Sequence, residues 1–402
     1  MLFPMDLEAL RATLRAQFPA LRSEWALLEN AGGSQVPQGV ADAVRDHMMN
    51  DYVQLGAGYP ASDRATETVA NAHAFADELA NSDGMGHVVL GGSATALTTL
   101  LAEAYARTIQ PGDEIVVAQS NHEANAGPWH RLARAGAVIK PWSVDPHTYA
   151  LEPLEPLLSR RTRIVAFPHV SNLLGQVEDV AALVTMAKSV GARTVVDGVA
   201  YAPHRAIHAK AWGVDWYVWS VYKVYGPHMG AMFGTDEAFG ELEGPGHFFF
   251  PKEALLSKWE LGGASHEGCA GLAALRPYLA LAAGHDAYQG RETVEAAFSA
   301  FDRLESGPAS RLVAGLREKG CHLIGSNPAS DRVGTVSFVV PGEKPTETVA
   351  RLHRAKVAVR NGHMYALRLA RELAIDESQG VVRASLLHYN TLEEVERLLA
   401  AL

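Results

Sequence analysis

Leu7, Leu10, Leu14 and Phe18 recur at the spacing of one helix face behind Asp6, which predicts an amphipathic N-terminal helix capped by Asp6 and docked on the body. Further along, short apolar runs alternate with Ala/Leu-rich stretches. The runs are Val88-Val89-Leu90, Glu114-Ile115-Val116-Val117, Arg163-Ile164-Val165-Ala166-Phe167, Arg193-Thr194-Val195-Val196 and Trp216-Tyr217-Val218-Trp219. Helical segments such as Thr95 to Thr108 and Val180 to Val190 lie between them. This alternation predicts an α/β fold with a mostly parallel sheet covered by helices on both faces. Ligands of such folds bind beyond the carboxyl ends of the strands.

Near residue 275 the pattern changes. A long helical stretch from about Leu272 to Leu316, interrupted at Gly307-Pro308, leads to the strand-like run Val333-Gly334-Thr335-Val336-Ser337-Phe338-Val339-Val340. The expected organisation is an N-terminal helix in 1–20 that packs on a small domain, a large domain in 21–275, and a small α+β domain in 276–402. No internal repeat or low-complexity tract is present.

Of the 402 residues, 48% are hydrophobic and 20% charged, and the formal net charge is -10. With no Lys/Arg block to track a phosphate backbone, nucleic acid is not an expected partner. No apolar run approaches the ~18 residues needed to span a bilayer, and the first residues lack the basic-then-apolar order of a signal peptide. Cys269 and Cys321 stand in unrelated contexts and read as free thiols of a reducing compartment. A cytoplasmic protein without membrane attachment or metal is expected.

Lys223 stands in Trp219-Ser220-Val221-Tyr222-Lys223-Val224-Tyr225-Gly226-Pro227, just after an apolar strand. Burial among aromatic residues lowers an amine's pKa and makes it a nucleophile for an aldehyde; a snorkelling surface lysine is the plain alternative. Asp197 ends the buried run Thr194-Val195-Val196-Asp197-Gly198. An unpaired carboxylate there is costly, so it either meets a cationic ring nitrogen or caps the following turn. Gly91-Gly92-Ser93-Ala94-Thr95 follows a strand and opens a helix, where free N–H groups attract a phosphate, although the same pattern serves as a plain turn. Ser220 and Tyr222 could add hydroxyls to that phosphate. His122, in Ser120-Asn121-His122-Glu123-Ala124-Asn125, follows another strand end and could stack on a flat ring or serve as a loop residue. Arg383, in Val381-Val382-Arg383-Ala384-Ser385, suggests either a carboxylate clamp or a structural ion pair.

In this order the segments resemble the cysteine desulfurase-like branch of the class V aminotransferases, from about Leu28 to Leu402. The likeness also runs through Asn30-Ala31-Gly32-Gly33, His169-Val170-Ser171-Asn172-Leu173-Leu174-Gly175 and Arg383-Ala384-Ser385-Leu386-Leu387-His388-Tyr389-Asn390-Thr391. The resemblance implies a fold-type-I homodimer that uses pyridoxal 5′-phosphate, held as a Schiff base on Lys223, with the active site at the subunit interface. It implies that Lys223 shuttles protons at Cα, that Asp197 pairs with the pyridine nitrogen and that His122 stacks over the ring. Asn172 would lie near the phenolic oxygen, and Ser93, Ala94, Thr95, Ser220 and Tyr222 would surround the phosphate. Arg383 would hold the substrate α-carboxylate, with Ala31, Gly32, Asn172, Arg360, His363 and Tyr365 along the substrate.

Three positions depart from the family pattern. Tyr365, in Val359-Arg360-Asn361-Gly362-His363-Met364-Tyr365-Ala366, stands where desulfurases carry their nucleophilic cysteine two residues after a Gly-His pair. Ala200 replaces a glutamine after Asp197, and Gly263 replaces the partner-subunit threonine at the phosphate. Without that thiolate a persulfide mechanism is not expected. Past loss of a bond at Cα the resemblance does not decide the reaction, and β-elimination from a small amino acid, of C–S lyase type, is the favoured reading because it needs no catalytic cysteine. Transamination, epimerisation with His363 or Tyr365 as the second acid, and a non-catalytic cofactor-binding sensor remain alternatives.

Overall fold

The computed structural model describes residues 6–325 and 331–402. The first five residues of the segment read as an N-terminal helix lie outside the described residues. The helix itself spans Leu7–Arg15, and the Asp6 carboxylate accepts from the N–H groups of Glu8 and Ala9.

The large sheet contains β1 (Gly86–Gly91), β2 (Glu114–Ala118), β3 (Val138–Trp142), β4 (Thr162–Pro168), β5 (Arg193–Asp197), β6 (Trp216–Ser220) and β7 (Gly230–Thr235). Their spatial order is β1-β7-β6-β5-β4-β2-β3, and β7 alone runs antiparallel to both neighbours. Both faces are buried, which is why the strands read as continuous apolar runs rather than as alternation. Val116, Val165, Phe167, Val196, Tyr217 and Phe233 enter one core, whereas Ile115, Val117, Ile164, Ala166, Val195 and Val218 enter the other. Successive side chains of one strand thus serve opposite cores.

A second, antiparallel sheet holds β8 (His322–Ile324), β9 (Thr335–Val339), β10 (Arg360–Gly362) and β11 (Val381–Ser385), in the order β10-β11-β9-β8. Its core includes Leu312, Leu352 and Leu398 from the helices Arg291–Glu318, Pro345–Arg354 and Leu392–Ala400. A separate two-stranded parallel ladder pairs Ala26 with Val357 and Leu27 with Ala358, fastening the early chain to the segment before β10. Among the described residues no helix is long and apolar enough to cross a membrane.

The α/β class and the mostly parallel sheet agree with the reading of the sequence. One element differs. Gly307-Pro308 does not interrupt the long helix, which runs unbroken from Arg291 to Glu318; the break falls before it, at the left-handed Gly284 and Gly290. Proline has no N–H for the carbonyl four residues back, that of Leu304. Arg11 supplies the missing donor: its Nη2 reaches Leu304 O at 2.8 Å while Nη1 serves His388 O and Asn390 O. The compensation comes from almost 300 residues away in the chain, beyond any local pattern.

Candidate active site

Neighbouring strands β5 and β6 run parallel and end side by side. Asp197 is the last residue of β5, and Lys223 closes the 3-10 turn Val221–Lys223 that follows β6. Both are buried. Desolvation, helped by the charge of Arg383, lowers the Lys223 amine to about 8, while the Asp197 carboxylate pulls it upward. Burial raises the Asp197 carboxyl; the N–H of Val199, which donates to Oδ1 at 2.9 Å, and the charge of Lys223 oppose that shift.

His122 caps the turn Glu123–Asn125 beyond β2. The N–H of Ala124 donates to its Nδ1 at 3.0 Å, so the neutral ring carries its proton on Nε2. Burial, with Lys223 and Arg383 adding to it, pushes the imidazole down to about 4. The loop is held from beneath: Asn121 Nδ2 donates to Ala166 O, Asn125 Nδ2 to Asn121 Oδ1, and Trp129 Nε1 to Asn125 Oδ1. His122, Asn172, Asp197 and Lys223 line one slot, with Val199 and Ala200 in its wall. Val199 was not among the residues expected to line it, and its signal was its position directly after the strand-ending Asp197-Gly198; Ala200 is the residue that stands in place of the family's glutamine.

At one end of the slot are Ala94, Thr95, Ser220 and Tyr222. Ser93 Oγ accepts from Ala96 N and starts the helix Ala94–Ala106, leaving the first N–H groups of that helix pointing outward. Gly230 of β7 packs so tightly under this start that a Cβ would sit 2.2 Å from the Ser93 carbonyl carbon. Ser93 and Thr95 also line an adjoining cavity together with Gly263, whose φ of 87° suits glycine and not threonine. Gly263 does not itself line the Lys223 slot.

The small sheet supplies the other end. Arg383 of β11 is buried; its Nη1 donates to Asn172 O at 3.0 Å, and its Nε has no partner. Desolvation lowers the guanidinium to about 10. Arg360 stands directly opposite Arg383 across the β10–β11 pair, a like-charge juxtaposition. Glu29 offsets it by pairing with Arg360 Nη1 at 3.3 Å. Asn172 Nδ2 donates to Met364 O at 2.7 Å, and Asn172 Oδ1 is buried without a partner.

Tyr365 lies beyond β10, exposed, with its ring 5.3 Å from that of His122. Glu123 N donates to Tyr365 O at 2.8 Å, and Arg368 forks onto the Glu123 carboxylate. Met364 and Tyr365 both adopt left-handed backbone, at φ 52° and 61°. Each costs roughly 1–2 kcal/mol in a residue with a side chain. Tyr365 reaches the slot through its ring contact with His122 and Arg383 through its hydrogen bond to Asn172, but neither they nor His363, Arg360, Ala31 and Gly32 line it. Ala31 N is engaged by Ser385 Oγ at 2.7 Å. Both cysteines are buried outside the slot.

These residues fit pyridoxal phosphate. A depressed amine, a buried carboxylate for a cationic ring nitrogen, a neutral imidazole and a helix start converge on one slot. The two buried polar atoms without partners, Asn172 Oδ1 and Arg383 Nε, leave a hydrogen-bonding site that a ligand would complete.

Residues 26–398 match the family described as aminotransferase class-V. The chain belongs to that family. Class V aminotransferases are pyridoxal-phosphate enzymes. Among curated relatives, the aminotransferase-like protein FGM3 of Gibberella zeae is 37% identical over 97% of this chain and 96% of its own length. The apo cysteine desulfurase of Thermococcus onnurineus NA1 superposes with a TM-score of 0.83 at 26% identity, covering 97% of this chain and 96% of that one. The cysteine desulfurase CsdA of Escherichia coli gives 0.80 at 26%, covering 97% of each. The fold is thus the fold-type-I arrangement of the cysteine desulfurase-like class V enzymes.

Proposed function

We propose that the chain catalyses β-elimination from a small cysteine-type amino acid, with pyridoxal phosphate held in the slot lined by His122, Asp197 and Lys223. When bound, the cofactor supplies an electron-withdrawing ring that stabilises negative charge at Cα. Asp197 offers the buried negative charge that keeps a ring nitrogen protonated. Arg383 receives the substrate carboxylate on its free Nε edge, and Asn172 fixes that guanidinium through its carbonyl. Lys223, at about 8, is close enough to neutrality near physiological pH to take the Cα proton.

The observation that carries the choice of reaction is Tyr365 in the loop facing His122, where the family's sulfur-accepting thiol is expected, with both cysteines buried elsewhere. With no thiolate to accept sulfur, the Cβ–S electron pair leaves with the sulfur. Cysteine and water then give pyruvate, ammonia and sulfide: the Cα–H and Cβ–S bonds break, and water replaces nitrogen at Cα to release ammonia. We also propose a homodimer that completes the site. Exposed Met48, Met49, Tyr52, Leu55 and Leu261 support this, because Tyr52 and Leu261 line the same cavity as Ser93 and Gly263.

The test is product analysis on the cofactor-loaded protein with cysteine, cystine and alanine. Pyruvate and sulfide in equal amounts support the reading. Alanine with persulfide would overturn it, as would a keto acid formed only when an amino acceptor is present, which marks transamination. Exchange of Cα hydrogen with solvent and inversion at Cα, without elimination, would mark an epimerase. Binding of the amino acid with no product at all would mark a sensor.

A further inference from the structure

The phosphate end of the slot has lost one hydroxyl, because Gly263 stands where the family pattern places a threonine. We infer that His228 takes over that role and donates a ring N–H to the cofactor phosphate. This rests on the pyridoxal-phosphate reading above.

His228 does not line the Lys223 slot, but three observations bring it beside that end. Its ring stacks face to face on Tyr222, with centroids 4.5 Å apart and planes 5° off parallel. Tyr222 itself lines the Lys223 slot, and its other side meets Gly33, where a Cβ would stand 3.5 Å from the ring. His228 is exposed, and it lines the adjoining cavity together with Gly92, Ser93, Thr95 and Gly263.

The backbone fixes its position. Val221 N donates to Met229 O at 2.9 Å, which ties the segment after Pro227 to the turn that carries Lys223. Two residues beyond His228, Gly230 presses on Ser93 and Ala94 with no room for a Cβ. His228 is therefore held between the lysine turn and the start of the helix Ala94–Ala106. A phosphate at that helix start meets outward N–H groups on one side and the paired rings of Tyr222 and His228 on another. An imidazole N–H is a suitable replacement for a lost hydroxyl, since it donates to the dianion and carries positive charge when protonated.

The experiment compares pyridoxal phosphate with pyridoxal, which lacks the phosphate. The full-length protein is stripped of cofactor, and each compound is titrated back while lysine-linked absorbance is followed. Wild type, His228→Ala and His228→Phe are measured, with circular dichroism and thermal unfolding as folding controls. Phenylalanine keeps the stack on Tyr222 but has no N–H. Both variants should bind pyridoxal phosphate about tenfold more weakly, the scale of one lost charge-assisted hydrogen bond, and should bind pyridoxal as wild type does. A wild-type ratio of the two affinities in both variants overturns the inference and leaves the cofactor reading intact. Loss in His228→Ala with full recovery in His228→Phe also overturns it, since His228 would then act only by propping Tyr222. If wild type binds neither compound, the cofactor reading falls and the inference with it.

Discussion

The two ends of the slot are built by different means. The end from the large sheet places Asp197 and Lys223 on the termini of adjacent strands whose side chains fill two buried cores. The end from the small sheet places Met364 and Tyr365 on a loop in left-handed backbone, held by one hydrogen bond each from Asn172 and Glu123, with Arg368 gripping the Glu123 carboxylate. Groups common to the family's chemistry stand on the rigid edge. Of the three residues that depart from the family pattern, Tyr365 stands on the strained loop, whereas Ala200 lies in the slot wall and Gly263 in the adjoining cavity. Strain of this kind persists only where surrounding contacts over-determine the conformation, and it marks places where function varies.

If that division holds, substitutions at the rigid end abolish chemistry, while those at the loop change selectivity or stability. Lys223→Ala should have the largest effect, lowering product formation by about 10⁴-fold or to background, because in the proposed reaction Lys223 is both the cofactor's anchor and the proton carrier. A variant retaining a tenth of wild-type turnover would end the argument. Asp197→Asn keeps the shape and removes the charge; turnover should fall about 10²–10³-fold, measured as kcat at saturating cofactor so that weaker binding is separated out.

Arg383→Ala belongs to the small-sheet end and should act on binding. A drop of about 10–100-fold in kcat/KM, carried mainly by KM, is the scale of one or two lost charge-assisted hydrogen bonds. A pure kcat defect would instead assign Arg383 to the chemistry.

The pH dependence sharpens the same contrast. The Lys223 amine is depressed to about 8, and its nucleophilic form is the neutral one above that value. Cofactor capture by the stripped protein should therefore accelerate by up to about tenfold per pH unit below 8 and level off above it. His122, lowered to about 4, is neutral throughout and adds no step between pH 5 and 9. Stopped-flow absorbance across that range checks both statements.

The smallest effect is expected on the loop. Tyr365→Gly relieves the left-handed backbone, and Tyr365 is 61% exposed, so little burial is lost. Thermal unfolding should move up by no more than about 1–2 °C, while the ranking of amino-acid substrates changes. A clear fall in Tm would mean that the ring contact with His122 outweighs the strain.

Much of this was legible in the chain. Lys223, Asp197 and His122 could be picked out because each follows an apolar run, and a run buried on both faces ends where a parallel sheet presents its ligand edge. Other features were not. Glu123, whose N–H holds Tyr365 O, and Arg368, which grips the Glu123 carboxylate, are far apart in sequence, and the pairing has no local signature. His228 has no motif of its own in the chain, and its stack on Tyr222 comes only from the fold.

The amino-acid sequence by itself determined the class of fold and the strands of the large sheet whose ends border the slot, with the residues at those ends. Periodicity and burial act over neighbouring residues, so they leave a pattern in the chain. Tertiary structure alone decided that the helix passes through Pro308, because the donor for Leu304 O is a guanidinium at the other end of the chain. It also decided that Tyr365 and Arg383 of the small sheet meet His122 and Asn172 of the large one. Contacts between distant segments depend on packing, and packing leaves no period to read.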